Sequence, residues 1–452
     1  MSAEATRAVL VRRIAGLSTD RMVLATFAVT LFVSAVLLFS VQPMFARIVL
    51  PTLGGSPSVW AVSMCFFQAA LLAGYCYAHL LNRLVQPQFA PLVHLVLLGA
   101  ALLALPFGLP EGAGAPPSDG AYVWLIGVLA LGVGLPFFAV SANAPLLQAW
   151  FARTGHPQAG DPYFLYGASN LGSLLALLAY PVAIEPMLGL RDQAAAWTDG
   201  FMVLGALVLG CGLLLLARLK ARVDLVSSLP KAARGQSPGW AARAHWVALA
   251  MVPSGLLVAY TTHVTTDLAA APFLWVIPLA IFLGTFIIVF CDKPLIPQRL
   301  VLMVQPFSVA LTALGLAAPS ALGWPVLMGA GFAAFVTTTL VCHRVLYERR
   351  PDATHLTEFY LWMSFGGVLG GIFAALAAPQ LFNGVQEYPL LLVAGLLLRP
   401  GVWDALKSRT EQLAALQVTM ALAGAGAATL GGYSIRGVSF NTAETALAGV
   451  VF

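Results

Sequence analysis

ARLKARVDLVSSLPKAARGQSPGWAARAH, residues 217–245, is the longest polar stretch between apolar blocks in this chain of 452 residues. It holds six basic residues, Arg218, Lys220, Arg222, Lys231, Arg234 and Arg243, against one acid, Asp224. On either side the sequence is built from apolar runs of membrane-spanning length, about 20 residues each. Before the stretch, runs begin near Met22, Val59, Leu92, Ala121, Phe164 and Phe201. After it they begin near Trp246, Phe273, Leu300, Leu322, Phe359 and Tyr388, with one more near Leu413. The polar stretch therefore divides the chain into six helices and six, followed by an extra apolar segment.

The basic residues check this segmentation independently. With the N-terminus in the cytoplasm, the inside segments carry Arg7, Arg12, Arg13 and Arg21, then Arg83, then Arg153, then the six residues above. They continue with Lys293 and Arg299, with Arg344, Arg349 and Arg350, and with Arg399, Lys407 and Arg409. Only Arg47, Arg191 and Arg436 of the 23 lysines and arginines fall outside. Short loops rich in Lys and Arg stay cytoplasmic, and one miscounted helix would scramble the alternation. Composition agrees: 60% hydrophobic residues, 9% charged residues and a mean hydropathy of +0.88 exclude a soluble globular chain, which is about a quarter charged. The formal charge of +5 is accounted for by the cytoplasmic loops and calls for no nucleic-acid partner. The expected protein is an all-α, multi-pass helical bundle in the lipid bilayer of a bacterial inner membrane.

The expected organisation is a cytoplasmic N-terminal tail at 1–21, a first six-helix half at 22–216 and the basic linker at 217–245. A second six-helix half follows at 246–403, then a loop, an extra apolar helix and a tail at 404–452. A cytoplasmic linker between two six-helix halves is the layout of the major facilitator superfamily, whose halves are parallel repeats. One trace of a repeat is visible. Tyr163-Phe164-Leu165-Tyr166 opens the fifth helix, Phe359-Tyr360-Leu361-Trp362 opens the eleventh, and the two helices end in Pro181 and Pro379.

Because each helix has a direction and rises about 1.5 Å per residue, every polar residue has an approximate depth. Gln42, Arg47, Glu185, His263 and Asp267 fall near the outer surface, Gln68 near mid-depth. Asn143, Asn170, His343, Arg344 and Glu358 fall near the cytoplasmic one. Ionisable and polar residues at membrane depth are costly to expose to lipid and converge on water or on one another. Gln42, Arg47, Gln68, Glu185, His263 and Asp267 are therefore the candidate substrate-binding set, and Asn143, Asn170, His343 and Glu358 a candidate inner polar set. A helical run Thr261–Asp267 places His263 and Asp267 one turn apart on one face. The same pattern also suits a helix end whose threonines and carboxylate cap backbone groups. Arg47, held outside against the charge bias, calls for an acidic partner, Glu185 or Asp267. Gln42-Pro43 and Gln305-Pro306 mark either helix breaks lining a cavity or kinks satisfied by neighbours. Gly366, Gly367, Gly370 and Gly371 have small-xxx-small spacing, which suits close helix packing better than a nucleotide loop.

Rossmann and Walker fingerprints, HExxH and a nucleophile elbow are all missing from the sequence, so no catalysis is assigned to it. Cys65, Cys76, Cys211, Cys291 and Cys342 stand singly, without metal-ligand spacing, and no metal or cofactor is expected.

Several long stretches carry a resemblance: FSVQPMFARIVLPTLGGSPSVW (Phe39–Trp60), FFQAALLAGYCYAHLL (Phe66–Leu81), NAPLLQAWF (Asn143–Phe151), YFLYGASNLGSLLALLAYP (Tyr163–Pro181), TTHVTTDLAAAPFLWVIPL (Thr261–Leu279) and LTEFYLWMSFGGVLGGIF (Leu356–Phe373). Through them the sequence resembles the membrane domain of the bacterial fused major-facilitator/spermidine-synthase-like family. Typical members continue into a cytoplasmic synthase-like domain, and the carboxylates and glycine-rich loop of that domain have no counterpart here. The resemblance implies two alternatives. One is a transporter-like protein handling a small metabolite, with a polyamine or related product among the expected cargoes. The other is a non-transporting membrane anchor for a separate soluble synthase-like or methyltransferase enzyme.

Overall fold

The computed structural model describes residues 3–402 except 54–56, 110–113, 118–119, 224–236, 269–275, 291–294, 318–322, 383 and 385. The extra apolar segment expected near Leu413 lies outside the described residues.

Among the described residues, twelve helices form the fold. They are α1 Ala3–Leu53, α2 Pro57–Leu84, α3 Ala90–Leu102, α4 Ala121–Phe151, α5 Pro162–Met187 and α6 Leu190–Val223 in the first half. The second half contributes α7 Trp240–Leu268, α8 Val276–Val289, α9 Gln298–Ala317, α10 Trp324–Glu348, α11 Ala353–Leu381 and α12 Glu387–Leu397. Among the described residues, nine of these are long and apolar enough to cross a membrane, while α3, α8 and α12 are shorter apolar helices. The protein is a multi-pass, all-helical membrane protein.

Boundaries differ from the sequence reading at the N-terminal tail, at the start of the sixth helix and at the linker expected over 217–245, where α6 runs on to Val223 and α7 already begins at Trp240. The segment 1–21 is helical from Ala3, so α1 runs for 51 residues without a break. The sixth helix starts at Leu190, well before the apolar run near Phe201, because the polar turns holding Arg191, Asp192 and Gln193 are already helical.

The weak sequence echo between the fifth and eleventh helices becomes a shared backbone plan. Helix α5 opens with a 3₁₀ turn at Pro162–Phe164, continues as α-helix over Leu165–Ala179, widens into a π-helix at Tyr180–Ile184 and closes with a short α turn. Helix α11 follows the same order: 3₁₀ at Ala353–His355, α over Leu356–Ile372, π at Phe373–Ala377, α at Ala378–Leu381. A π-helix is rare and is frequently found at functional positions; a third lies within α4 at Ala130–Gly134. Its recurrence at corresponding places marks α5 and α11 as repeat partners.

The chain forms two compact units. The first comprises Met1–Gly54, Ala70–Pro238 and Pro351–Leu361; the second comprises Gly55–Ala69, Gly239–Arg350 and Trp362–Phe452. Each half of the sequence thus lends a short piece to the other's unit: the first turns of α2 go to the second unit, and the first turns of α11 to the first.

In the first unit α1 is the central element, packed on α5 and α6. Gly172 of α5 faces the Phe32 carbonyl so closely that a Cβ would lie 3.2 Å from its carbon and nearer still to its oxygen. Trp197 of α6 donates from its indole to the Leu37 carbonyl of α1 at 2.9 Å. In the second unit α7 packs on α10 and α12. Gly366 and Gly370 of α11 sit against the backbone of α7 at Val247 and Met251, where any Cβ would collide with carbonyl oxygens. Small residues allow this backbone approach, which supplies packing that lipid cannot drive by hydrophobicity alone.

Pro306 inside α9 removes the donor that the Leu302 carbonyl would otherwise meet. Arg399, beyond the end of α12, donates to that carbonyl from Nη2 at 2.9 Å. The helix remains continuous through Pro306, as α1 does through Pro43, so both Gln-Pro pairs lie inside unbroken helices.

Candidate functional site

At one end of the first unit, Arg47 of α1 and Glu185 of α5 form an ion pair, Nη1 to Oε1 2.8 Å. Glu185 is placed there by the π-helix that ends at Ile184. Alongside, the Tyr180 hydroxyl donates to Gln193 Oε1 at 3.1 Å, and Gln193 Nε2 donates to the Leu188 carbonyl at 2.8 Å. Gln42 turns back on its own helix, donating to the Leu38 carbonyl at 3.3 Å. Pairing the guanidinium and carboxylate lowers the cost of holding both at the edge of an apolar bundle.

The opposite end of the same unit is richer than the sequence suggested. His94 and Asn143 are completely buried and meet at 2.9 Å, Nε2 to Oδ1. With the amide oxygen as acceptor, His94 carries its proton on Nε2. The first turns of α11 are fastened to this end by three contacts. Tyr360 donates to Gln148 Oε1 at 2.8 Å, His79 Nδ1 meets Thr357 Oγ1 at 3.1 Å, and Tyr163 donates to the Pro351 carbonyl at 3.0 Å. Around Tyr360 the rings of Tyr75, Tyr163 and Tyr166 lie at 6.2, 6.0 and 5.3 Å. Glu358 is joined by His355 one turn earlier, at 3.3 Å. Asn170 turns back on its own helix, its Nδ2 donating to the Tyr166 carbonyl one turn earlier at 2.8 Å, while Gly172 brings α5 against the backbone of α1.

In the second unit Gln68 is packed flat over Gly371, where a Cβ would overlap its amide, and its Oε1 is buried with no hydrogen-bond partner. Ser254 donates to the Gly367 carbonyl at 2.8 Å. The four glycines of α11 therefore do two jobs: Gly366 and Gly370 seat α7, while Gly371 makes room for Gln68. His263 is buried and stacks on Tyr388 at 5.6 Å, and Tyr388 donates to the Gly331 carbonyl at 2.8 Å. Asp267 continues the same helix one turn on, and its side chain lies outside the described residues. His343 is fully buried, stacked on Phe286 at 3.6 Å and hydrogen-bonded through Nδ1 to Thr285 Oγ1 at 2.9 Å. A further polar seam joins α9 to α10 through Gln305 to Thr338 at 3.3 Å and Ser308 to Thr337 at 3.4 Å.

The sequence-derived candidates thus separate by unit: Gln42, Arg47, Glu185, Asn143, Asn170 and Glu358 in the first, Gln68, His263, Asp267 and His343 in the second. The structure brings Arg47 to Glu185 and leaves Gln42 on its own helix. Gln148 and His94 were not singled out by sequence, and Tyr360, Gln305 and Arg399 were noted there for other reasons than these contacts. A lone polar residue in an apolar helix, such as Gln148 in NAPLLQAWF, is the signal that could have found them. Most of the spanning polar groups are neutral amides, hydroxyls and imidazoles, suited to hydrogen-bonding a polar molecule. Among the described residues no three His, Cys, Asp or Glu side chains stand together as a metal site would require.

No protein-family model matches the sequence, and no curated protein does either. Solved structures do. The major facilitator superfamily proton:xylose symporter XylE bound to 6-bromo-6-deoxy-D-glucose matches with a TM-score of 0.55 and 13% identity, over 85% of this chain and 96% of that one. A double-tryptophan variant of XylE matches with a TM-score of 0.52 and 14% identity, over 88% and 99% of the two chains. At these identities the likeness is one of fold: two six-helix halves of major-facilitator type.

Proposed function

We propose that the protein is a transporter that carries a small polar metabolite across the membrane. The observation that carries this reading is the shared 3₁₀–α–π–α plan of α5 and α11. Transporter folds of this class are built from repeats, and interrupted helices in corresponding positions of two halves point to the substrate path. Neutral hydrogen-bonding groups inside the spans, above all the unpartnered Gln68 Oε1, are the kind that fix a polar cargo. The sugar analogue bound to XylE is cargo chemistry of that type. The resemblance to the fused spermidine-synthase-like family adds polyamines and their alkylated relatives to the cargoes worth testing.

The test is uptake by sealed proteoliposomes of a labelled panel containing neutral sugars and polyols, spermidine and a methylated nucleoside. Saturable uptake of one class, lost in Gln68→Leu, supports the reading. Absence of uptake across the panel, together with tight retention of a soluble synthase-like enzyme from the same cells, would replace it with the anchor reading.

A further inference from the structure

A cleft of about 80 Å³ opens in the second unit at the ends of α8, α9 and α10, the ends that carry the basic residues Arg299 and Arg344. Its walls are apolar, with Ile288, Ile296, Val301 and Leu340 among them, and its polar residues are Gln298 and Arg344. The space is apolar and large enough to admit methylene groups. It suits the start of an alkyl chain.

The charge is placed to match. Arg344 and Leu340 are one turn apart on the same face of α10, about 6 Å along the axis, so the guanidinium stands at the mouth and the apolar floor runs inward from it. Arg344 gives its Nε edge to Glu348 at 2.7 Å, and its two terminal amino groups remain as donors. A guanidinium offers a fork that fits phosphate oxygens. Basic pockets between spanning helices, just where the bilayer's phosphates lie, are sites for lipid head groups.

We propose that this cleft seats a membrane glycerophospholipid, its phosphate on Arg344 and the first methylenes of one acyl chain against Ile288, Val301 and Leu340. The proposal does not rest on the transport reading, only on the protein's place in a bilayer.

The experiment is native mass spectrometry of the full chain, delipidated in detergent and titrated with dioleoyl-phosphatidylglycerol. Wild type should retain one lipid more tightly than the rest. Arg344→Gln should weaken that site about fivefold, the weight of one basic side chain at an anionic surface. Ile296→Trp, which fills the cleft from the loop side and leaves the helices untouched, should abolish it while the thermal transition stays unchanged. Glycerol 3-phosphate, a head group without chains, should fail to compete. Equal retention by wild type and Ile296→Trp overturns the proposal, and so does full competition by glycerol 3-phosphate, which would mark an anion site instead.

Discussion

Arg399 donates from Nη2 to the carbonyl of Leu302 at 2.9 Å, and that carbonyl is the one Pro306 leaves without its helical partner. A residue beyond the end of the twelfth helix thereby completes the hydrogen bonding of the ninth. In lipid an unmet carbonyl costs far more than in water, so the contact bears on stability.

A double-mutant cycle tests it. Arg399→Leu should destabilise the protein by about 1–3 kcal/mol, the cost of an unsatisfied buried acceptor. In a Pro306→Ala background the carbonyl regains a backbone donor, and most of that penalty should vanish. Thermal unfolding in detergent reads both, and equal penalties in the two backgrounds would show that Arg399 acts elsewhere.

The glycines of α11 are not equivalent to those on open faces. Gly366→Ala and Gly370→Ala drive a methyl into the backbone of α7 at Val247 and Met251, while Gly329→Ala on α10 meets open space. Each of the first two should cost about 1–3 kcal/mol, as overpacking does. Gly329→Ala should be neutral or slightly stabilising through helix propensity. Folded yield and melting temperature distinguish them.

Arg47 and Glu185 are 41% and 26% exposed, so their ion pair contributes little to stability, about 0.2–1 kcal/mol. Glu185→Gln should therefore leave the melting temperature within a few degrees of wild type. Swapping the pair, Arg47→Glu with Glu185→Arg, should restore whatever coupling the single changes remove. A large loss of stability from Glu185→Gln alone would mean that the carboxylate is buried in the membrane-embedded protein.

Orientation has its own test. With 217–245 in the cytoplasm, a cysteine introduced as Ser237→Cys in a background lacking Cys65, Cys76, Cys211, Cys291 and Cys342 should react with an impermeant maleimide only in permeabilised cells. Reaction in intact cells would invert the topology.

Sequence alone determined the class of molecule and the twelve core helices, because hydropathy is set by the bilayer, one segment at a time. It also placed Arg47 opposite an acid and read the α11 glycines as packing residues, since both follow from costs local to a span. Tertiary structure decided the rest. Which acid Arg47 meets, that Gly371 shelters Gln68, that Asn170 folds back on its own helix, and that Arg399 serves Leu302 all depend on which helices become neighbours. The same holds for the first turns of α11, which belong with Gln148 and Tyr163 of the other half. Such contacts join residues up to more than two hundred positions apart, and periodicity within one helix carries no information about them. The physical reason is that each helix satisfies its own backbone before it packs, so its partners are chosen by shape and by the few polar groups left over.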